Sequence, residues 1–316
     1  MTIVITGGLG FIGTMLARRL LARGGAERLV LFDAHGAPDP PADVAGRAAV
    51  VRGDIRDREL VRNVLRGDDL SVFHLASVVS AQGERDFDLA LTVNLDGCRE
   101  VLEACRRLGN RPRVVFSSTL AAFGGSAMPE TVTDTTKLTP QTTYGTTKAM
   151  CELLVNDYTR KGFVDGRTAR LPTVIVRAGA PNPAASAFAS AVFREPLAGR
   201  DYVLPLGPET RMPVIGARNV AECLARLRDV DADALGDDRA LTLPSISVTV
   251  GEMLESLRRV AGDRPLGKIE IRPEPEIERI VGTWARYASS ERADVLGLPR
   301  DSTLDDIVRE YIADFG

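Results

Sequence analysis

Along the first 176 residues the apolar positions keep two rhythms in turn. Short β-branched or aliphatic runs at Thr2 to Thr6, Arg28 to Phe32, Ala48 to Arg52, Ser71 to Leu75, Arg113 to Phe116 and Arg167 to Val176 read as strands. Between them apolar residues recur at helical spacing, as Met15, Leu16, Leu20 and Leu21 do. Residues 84 to 109 form a long amphipathic segment with Val93, Val101, Leu102 and Cys105 on its apolar side. After Pro140, Cys151, Leu153, Leu154 and Tyr158 continue another. Such alternation predicts an α/β fold with right-handed βαβ crossovers and a doubly wound parallel sheet, active at its carboxyl edge.

After Val176 the texture changes. Arg177-Ala178-Gly179-Ala180-Pro181-Asn182-Pro183 breaks periodicity, and a helix is expected at Ala184 to Phe193. Strands are expected at Tyr202 to Leu206 and Met212 to Ile215, and helices at Asn219 to Arg228, Thr249 to Ala261 and Ser302 to Phe315. The division this suggests is a nucleotide-binding unit at 1–177 and, at 178–316, a smaller lobe that closes over the reacting group. The 212–228 strand and helix are expected to return to the large unit.

Composition narrows the function classes. The chain has 316 residues, 44% hydrophobic and 26% charged, the balance of a globular chain with a buried core. A net charge of -3 with both signs interspersed gives no electrostatic reason to expect nucleic acid or a membrane surface. Four scattered cysteines and two histidines form no metal-ligand spacing, so no metal is expected. Free thiols and the absence of a leader or long apolar run point to the cytoplasm.

The chemistry starts at Gly7-x-x-Gly10-x-x-Gly13, set between a strand and a helix. Small residues there let the backbone approach a pyrophosphate, whose charge rests on the helix N-terminus. Asp33 ends the second strand, 20 residues after Gly13 (33 minus 13). An acid at that offset accepts hydrogen bonds from an adenosine ribose and repels a 2′-phosphate, which favours NAD over NADP. Asp54 and Ile55 are placed to cover the adenine; Asp57 can cap the next helix. Ala76 and Ser77 suit a backbone passing close to the cofactor, while His74 reads as a packed structural residue. Ser117-Ser118-Thr119 leave the fifth strand with hydroxyls that can orient a reacting oxygen. Tyr144 and Lys148 stand four residues apart on a helix, a phenol beside an ammonium that favours the phenolate, and together they can move one proton on or off an alcohol.

Thr6-Gly7-Gly8-Leu9-Gly10-Phe11-Ile12-Gly13, Asp33, Asp54-Ile55, Asn94, Ser117-Ser118-Thr119 and Tyr144-x-x-x-Lys148, in that order, resemble the extended short-chain dehydrogenase/reductases. This is the superfamily of nucleotide-sugar epimerases and dehydratases, built on a Rossmann-type sheet. The run Pro129 to Thr142, Gly162 to Arg167, and Arg194 to Gly199 resemble more narrowly the D-erythronate dehydrogenases. The resemblance implies NAD as cofactor, with contacts extending to Phe11, Ile12, Leu75, Asn94, Ser117 and Pro172. It also implies a four-carbon sugar acid as substrate, oxidised at C2, and a homodimer. Tyr144 is implied as base, Lys148 as ribose ligand and electrostatic support, and Thr119 as the group positioning the substrate, with Ser118 as substitute. The substrate carboxylate needs a cation. Arg211 is the first candidate, Arg177 the reserve, and Ser80 and Asn182 are neutral donors.

Two other readings use the same residues. A nucleotide-sugar 4-epimerase or dehydratase would need a base pocket in the second lobe, where aromatics are few, and a dehydratase an Asp-Glu pair where Leu120-Ala121 stand. A non-catalytic NAD-sensing protein would tend to lose Tyr144 or Lys148.

Overall fold

The computed structural model describes residues 1–24, 28–35, 39–179 and 185–316. The chain opens with β1 (Thr2–Thr6), α1 (Phe11–Arg23), β2 (Arg28–Asp33), β3 (Ala49–Arg52), α2 (Arg58–Val64) and β4 (Leu70–His74). Two short helices follow, α3 (Ser80–Arg85) and α4 (Phe87–Ala90), then a π-helical turn at Leu91–Asp96 and α5 (Gly97–Leu108). Next come β5 (Arg113–Thr119), β6 (Thr131–Val132), α6 (Thr143–Arg160), β7 (Asp165–Leu171) and β8 (Thr173–Ile175). The remainder holds α7 (Phe188–Leu197), β9 (Tyr202–Leu204), β10 (Arg211–Gly216), α8 (Ala217–Asp229), β11 (Ala240–Thr242) and β12 (Ile246–Thr249). It closes with α9 (Val250–Ala261), β13 (Ile269–Ile271), α10 (Pro275–Val281), β14 (Tyr287–Ala288), α11 (Glu291–Val295) and α12 (Leu304–Phe315).

Seven strands form one sheet in the order β11-β7-β5-β4-β1-β2-β3, and every pairing in it is parallel. The expected doubly wound Rossmann-type sheet is what forms. Strand order reverses between β1 and β4, and a crevice at such a reversal is where a nucleotide binds. Both faces are covered. Leu16 and Leu20 of α1 with Val220 and Leu224 of α8 bury one side; Val61, Val101, Leu102 and Val155 of α2, α5 and α6 bury the other. A second apolar core joins Phe188, Phe193, Met212, Met253, Leu257 and Val308, around the small sheet β12-β10-β8.

Three expectations change. The run Arg167 to Val176 is not one strand: it breaks at Pro172, which has no N–H to give a ladder, so β7 stays in the large sheet while β8 joins β10. Residues 84 to 109 are not one helix, because the backbone at Asp86 is non-helical; from Phe87 to Leu108 the chain stays helical and widens into a π turn at Leu91–Asp96. Of the 212–228 segment, β10 lies in the small sheet whereas α8 packs on the large one.

An ion pair ties α6 to β7. Arg170 donates to both oxygens of Glu152, the closest bond being 2.8 Å, and both side chains are at most 4% exposed. Glu152 also accepts from the Ser118 hydroxyl. Removing Glu152 leaves the buried Arg170 with only the more distant Asp134, at 3.9 Å, as counter-charge. Glu152→Ala should therefore lower the free energy of unfolding by about 3–5 kcal/mol, measured by denaturant titration; an unchanged midpoint would show that the pair adds nothing to the fold.

Candidate active site

The glycine loop turns β1 into α1 with almost no side-chain volume. A Cβ on Gly13 would strike the Gly7 carbonyl, so the first turn of α1 can lie directly against the loop only with glycine there. Gly10 is the N-cap and supplies no side-chain bond, which leaves the N–H groups of the first turn for a ligand. The fit to a pyrophosphate is good: a bare helix N-terminus of 13 residues opens onto a cavity. Asp33 accepts from the Leu9 and His35 backbone N–H groups, at 3.0 Å each, which sets its carboxylate against the loop.

The cavity has a volume of about 350 Å³ and runs from Gly7, Gly10, Phe11, Ile12 and Gly13 past Leu75, Ser77 and Ser80 to Ser117, Ser118, Thr119, Tyr144, Lys148 and Pro172. Most of the expected site thus meets in one place. Gly145 explains how Tyr144 reaches Thr119: any side chain at 145 would run into the Ala121 carbonyl, so α6 begins in contact with the chain just beyond β5. Thr142 caps that helix by accepting from the Gly145 N–H at 3.0 Å, and Glu84 accepts from the Thr143 N–H at 2.6 Å.

Burial pushes the Tyr144 phenol above its ordinary value, while the Thr119 hydroxyl and the Arg177 charge act in the opposite direction. Lys148 donates to the Ser117 carbonyl at 2.8 Å and lies over the Phe116 ring at 4.7 Å from its centre. Burial lowers its ammonium from 10.5 to about 8, the reverse pull coming from Cys151, Cys98 and Glu152. His74, behind it, is lowered to about 3 by burial and by Lys148. Thr6 Oγ1 accepts from the Leu75 and Ala76 N–H groups and so gives its own proton to His74 Nδ1, at 2.7 Å. His74 is the neutral structural histidine expected.

Other residues stand elsewhere. Ser118 touches the cavity but its hydroxyl is engaged with Glu152. Asn94 sits in the π turn, buried; its amide joins Val78 and Ser77 after β4 to Thr147 on α6. It braces the cavity wall rather than lining it. Asp54 is held in the fork of Arg56, and Ile55 packs into the core near Gly97. Asn182 lies outside the described residues.

The cations are arranged differently from expectation. Arg211 does not reach this cavity: it donates to the Ser247 carbonyl at 3.0 Å, lies 3.5 Å from Glu252, and sits over the Tyr287 ring beside a second cavity of about 400 Å³. Arg177, at the end of β8, lines the first cavity instead. Trp284 walls both, and with Met212 and Ser186 it was not singled out for the site. A lone tryptophan in the second lobe was the available signal. Among the described lining residues the ionised groups are Lys148 and Arg177, with no carboxylate.

A profile described as the NAD dependent epimerase/dehydratase family matches residues 3–237. A D-erythronate dehydrogenase of Cupriavidus necator is 45% identical, covering 100% of this chain and 99% of that protein. Another, of Haemophilus influenzae, is 39% identical over 99% of each. A solved structure named as a nucleoside-diphosphate-sugar epimerase, from Agrobacterium tumefaciens, superposes with a TM-score of 0.91 at 37% identity, over 100% of this chain and 94% of that one.

The lowered Lys148 has a consequence for stability. Between about pH 8 and the ordinary value of 10.5 the folded chain holds fewer protons on this side chain than the unfolded chain, so folding gains there as pH rises; below pH 8 the cost of the buried charge is complete. Relative to Lys148→Met, the wild-type chain should gain about 3 kcal/mol of stability from pH 7.5 to pH 10.5, seen in paired denaturation curves. A constant difference between the two proteins would refute the buried charge.

Proposed function

The chain belongs to the NAD dependent epimerase/dehydratase family, and we propose that it oxidises the C2 hydroxyl of a four-carbon sugar acid, D-erythronate, to the 2-keto acid. What carries this reading is Tyr144 set against Thr119 in a cavity whose ionised lining groups are cations. The full-length relatives named D-erythronate dehydrogenase support the substrate.

Gly7, Gly10, Gly13 and the first turn of α1 would hold the cofactor pyrophosphate, and Asp33 a ribose with free hydroxyls, which favours NAD over NADP. When bound, NAD supplies the hydride acceptor. Thr119 holds the C2 hydroxyl, and Tyr144, as phenolate, takes its proton. Lys148 has two N–H groups beyond the one given to Ser117, enough to hold a ribose hydroxyl and support the phenolate. With Ser118 turned to Glu152, Thr119 is the positioning hydroxyl. Residues 1–177 hold the cofactor and supply the groups that act on the reacting hydroxyl, and 178–316 mainly shape the substrate end. The four buried, unpaired thiols suit the cytoplasm.

A homodimer fits the same reading. Leu153 is 67% exposed, Phe87 58% and Met150 41%, and they lie on α6 and α4. Exposed apolar side chains grouped on neighbouring helices suit a second copy of the chain. Leu153→Arg should convert a dimer into a monomer in sedimentation or light scattering; a wild-type chain that sediments as a monomer would exclude the pairing.

The epimerase reading draws on the name given to the Agrobacterium protein. The discriminating measurement is NADH absorbance after NAD is mixed with D-erythronate, L-threonate, D-threonate or UDP-glucose, with NADP in parallel. NADH should appear with NAD and a sugar acid. Conversion of the nucleotide sugar without net NADH would replace this reading by the epimerase. Tyr144→Phe should cut turnover by about 10² to 10⁴ while NADH binding stays within about twofold.

A further inference from the structure

Arginines withdrawn from water in this chain carry a carboxylate partner. Arg167 has Asp165 at 2.6 Å, Arg170 has Glu152 at 2.8 Å, Arg194 has Glu195 at 2.7 Å and Arg228 has Asp229 at 2.8 Å. Arg177 is different. It is half-buried against the cavity, and its guanidinium donates to the Ser186 hydroxyl at 3.2 Å. Among the described residues no acid lies within ion-pair distance of it. Burial depresses its charge, Tyr144 acts the other way, and Arg194 adds to the repulsion. A planar cation left with a hydroxyl and no counter-ion is a half-built site for a carboxylate, which a guanidinium binds through two parallel bonds.

The position is also fixed in advance. The Arg177 N–H donates to Ser190 at 3.0 Å, and the Arg177 carbonyl accepts from Arg194 at 3.0 Å. Ser190 and Arg194 are buried on α7, so the main chain at 177 is clamped from the second lobe while its side chain shares the cavity with Tyr144. A guanidinium carried on a fixed main chain and already bonded to Ser186 has less freedom to lose when an anion arrives.

We propose that Arg177, with Ser186 beside it, is the carboxylate anchor of the substrate, and that its place in the Tyr144 cavity selects the hydroxyl adjacent to the carboxylate for oxidation. This rests on the sugar-acid reading given above. The chemistry required of the ligand is a 2-hydroxy carboxylate: the anion takes the guanidinium while the neighbouring hydroxyl reaches Thr119 and Tyr144. Hydroxyls farther along the chain are carried away from the phenol by the same anchoring. A neutral polyol or sugar amide has no partner for Arg177 and leaves it uncompensated.

The test compares wild type, Arg177→Lys and Arg177→Met in three measurements: NADH binding by fluorescence, oxidation of D-erythronate and of its neutral amide, and calorimetric titration of the enzyme–NADH complex with D-erythronate. With Arg177→Met, and each variant read at its own optimum pH because Arg177 also holds the Tyr144 phenol down, kcat/KM for the acid should fall by about 100-fold or more, with much of the loss in KM, and the amide by less than about threefold. Arg177→Lys should recover part of the loss, because it restores charge without the fork. NADH affinity should stay within about twofold, separating this role from a cofactor contact. Equal losses for acid and amide, an acid rate within about threefold of wild type, or lost NADH binding would each overturn the assignment. Should wild type bind the acid in the calorimeter without oxidising it, and Arg177→Met not bind it, the anchor stands and the oxidation reading falls. No heat of binding to wild type removes the anchor itself.

Discussion

A lysine ammonium held out of water, 2.8 Å from the Ser117 carbonyl, is the contact that the catalytic end of this molecule depends on. Lys148 belongs to α6 and Ser117 to β5, so one hydrogen bond sets the height of the helix against the sheet edge. That height places Tyr144, one turn earlier, beside Thr119 at the strand's exit. The charge is expensive in that place: burial works against it and the nearby His74 cannot share it, being neutral. Folding supplies the difference from elsewhere, chiefly from the apolar layers on the two faces of the sheet.

The surrounding polar groups are organised to keep that arrangement single-valued. Glu152 fixes Arg170 and Ser118 on one side; Asn94 joins the exit of β4 to Thr147 on the other. Each uses up its hydrogen-bonding capacity on protein. What they leave to a ligand is Thr119, Tyr144, the remaining protons of Lys148, and Arg177. Polar residues that look equivalent in the sequence therefore divide into braces and contacts according to whether a buried partner already holds them.

Much of this was legible from sequence, for a reason that differs between parts. The Gly7-to-Gly13 loop, Asp33 and the Tyr144-Lys148 pair are local patterns whose geometry follows from a strand, a turn and a helix. The strand-and-helix alternation gave the parallel sheet in the same way. Where tertiary partners decide, the reading failed. Nothing near Ser118 in the chain announces Glu152, 34 positions on. Arg211 was the first cation to consider for a substrate carboxylate, yet Glu252, Ser247 and Tyr287 from later segments hold it away. The break at Pro172 was open to inspection, since proline cannot complete a ladder, but the apolar run around it reads as continuous. β11 was missed because three buried residues carry too little periodicity to stand out.

The break at Pro172 matters beyond secondary structure. There the chain leaves the large sheet for the small one; it returns after Gly216, when β10 gives way to α8, departs between β11 and β12, comes back with α11, whose Ala293 joins the large sheet's core, and leaves once more for α12. Two bodies joined by several crossings move relative to each other only if the crossing segments bend together. Where they meet, Trp284 stands as the partition between two chambers.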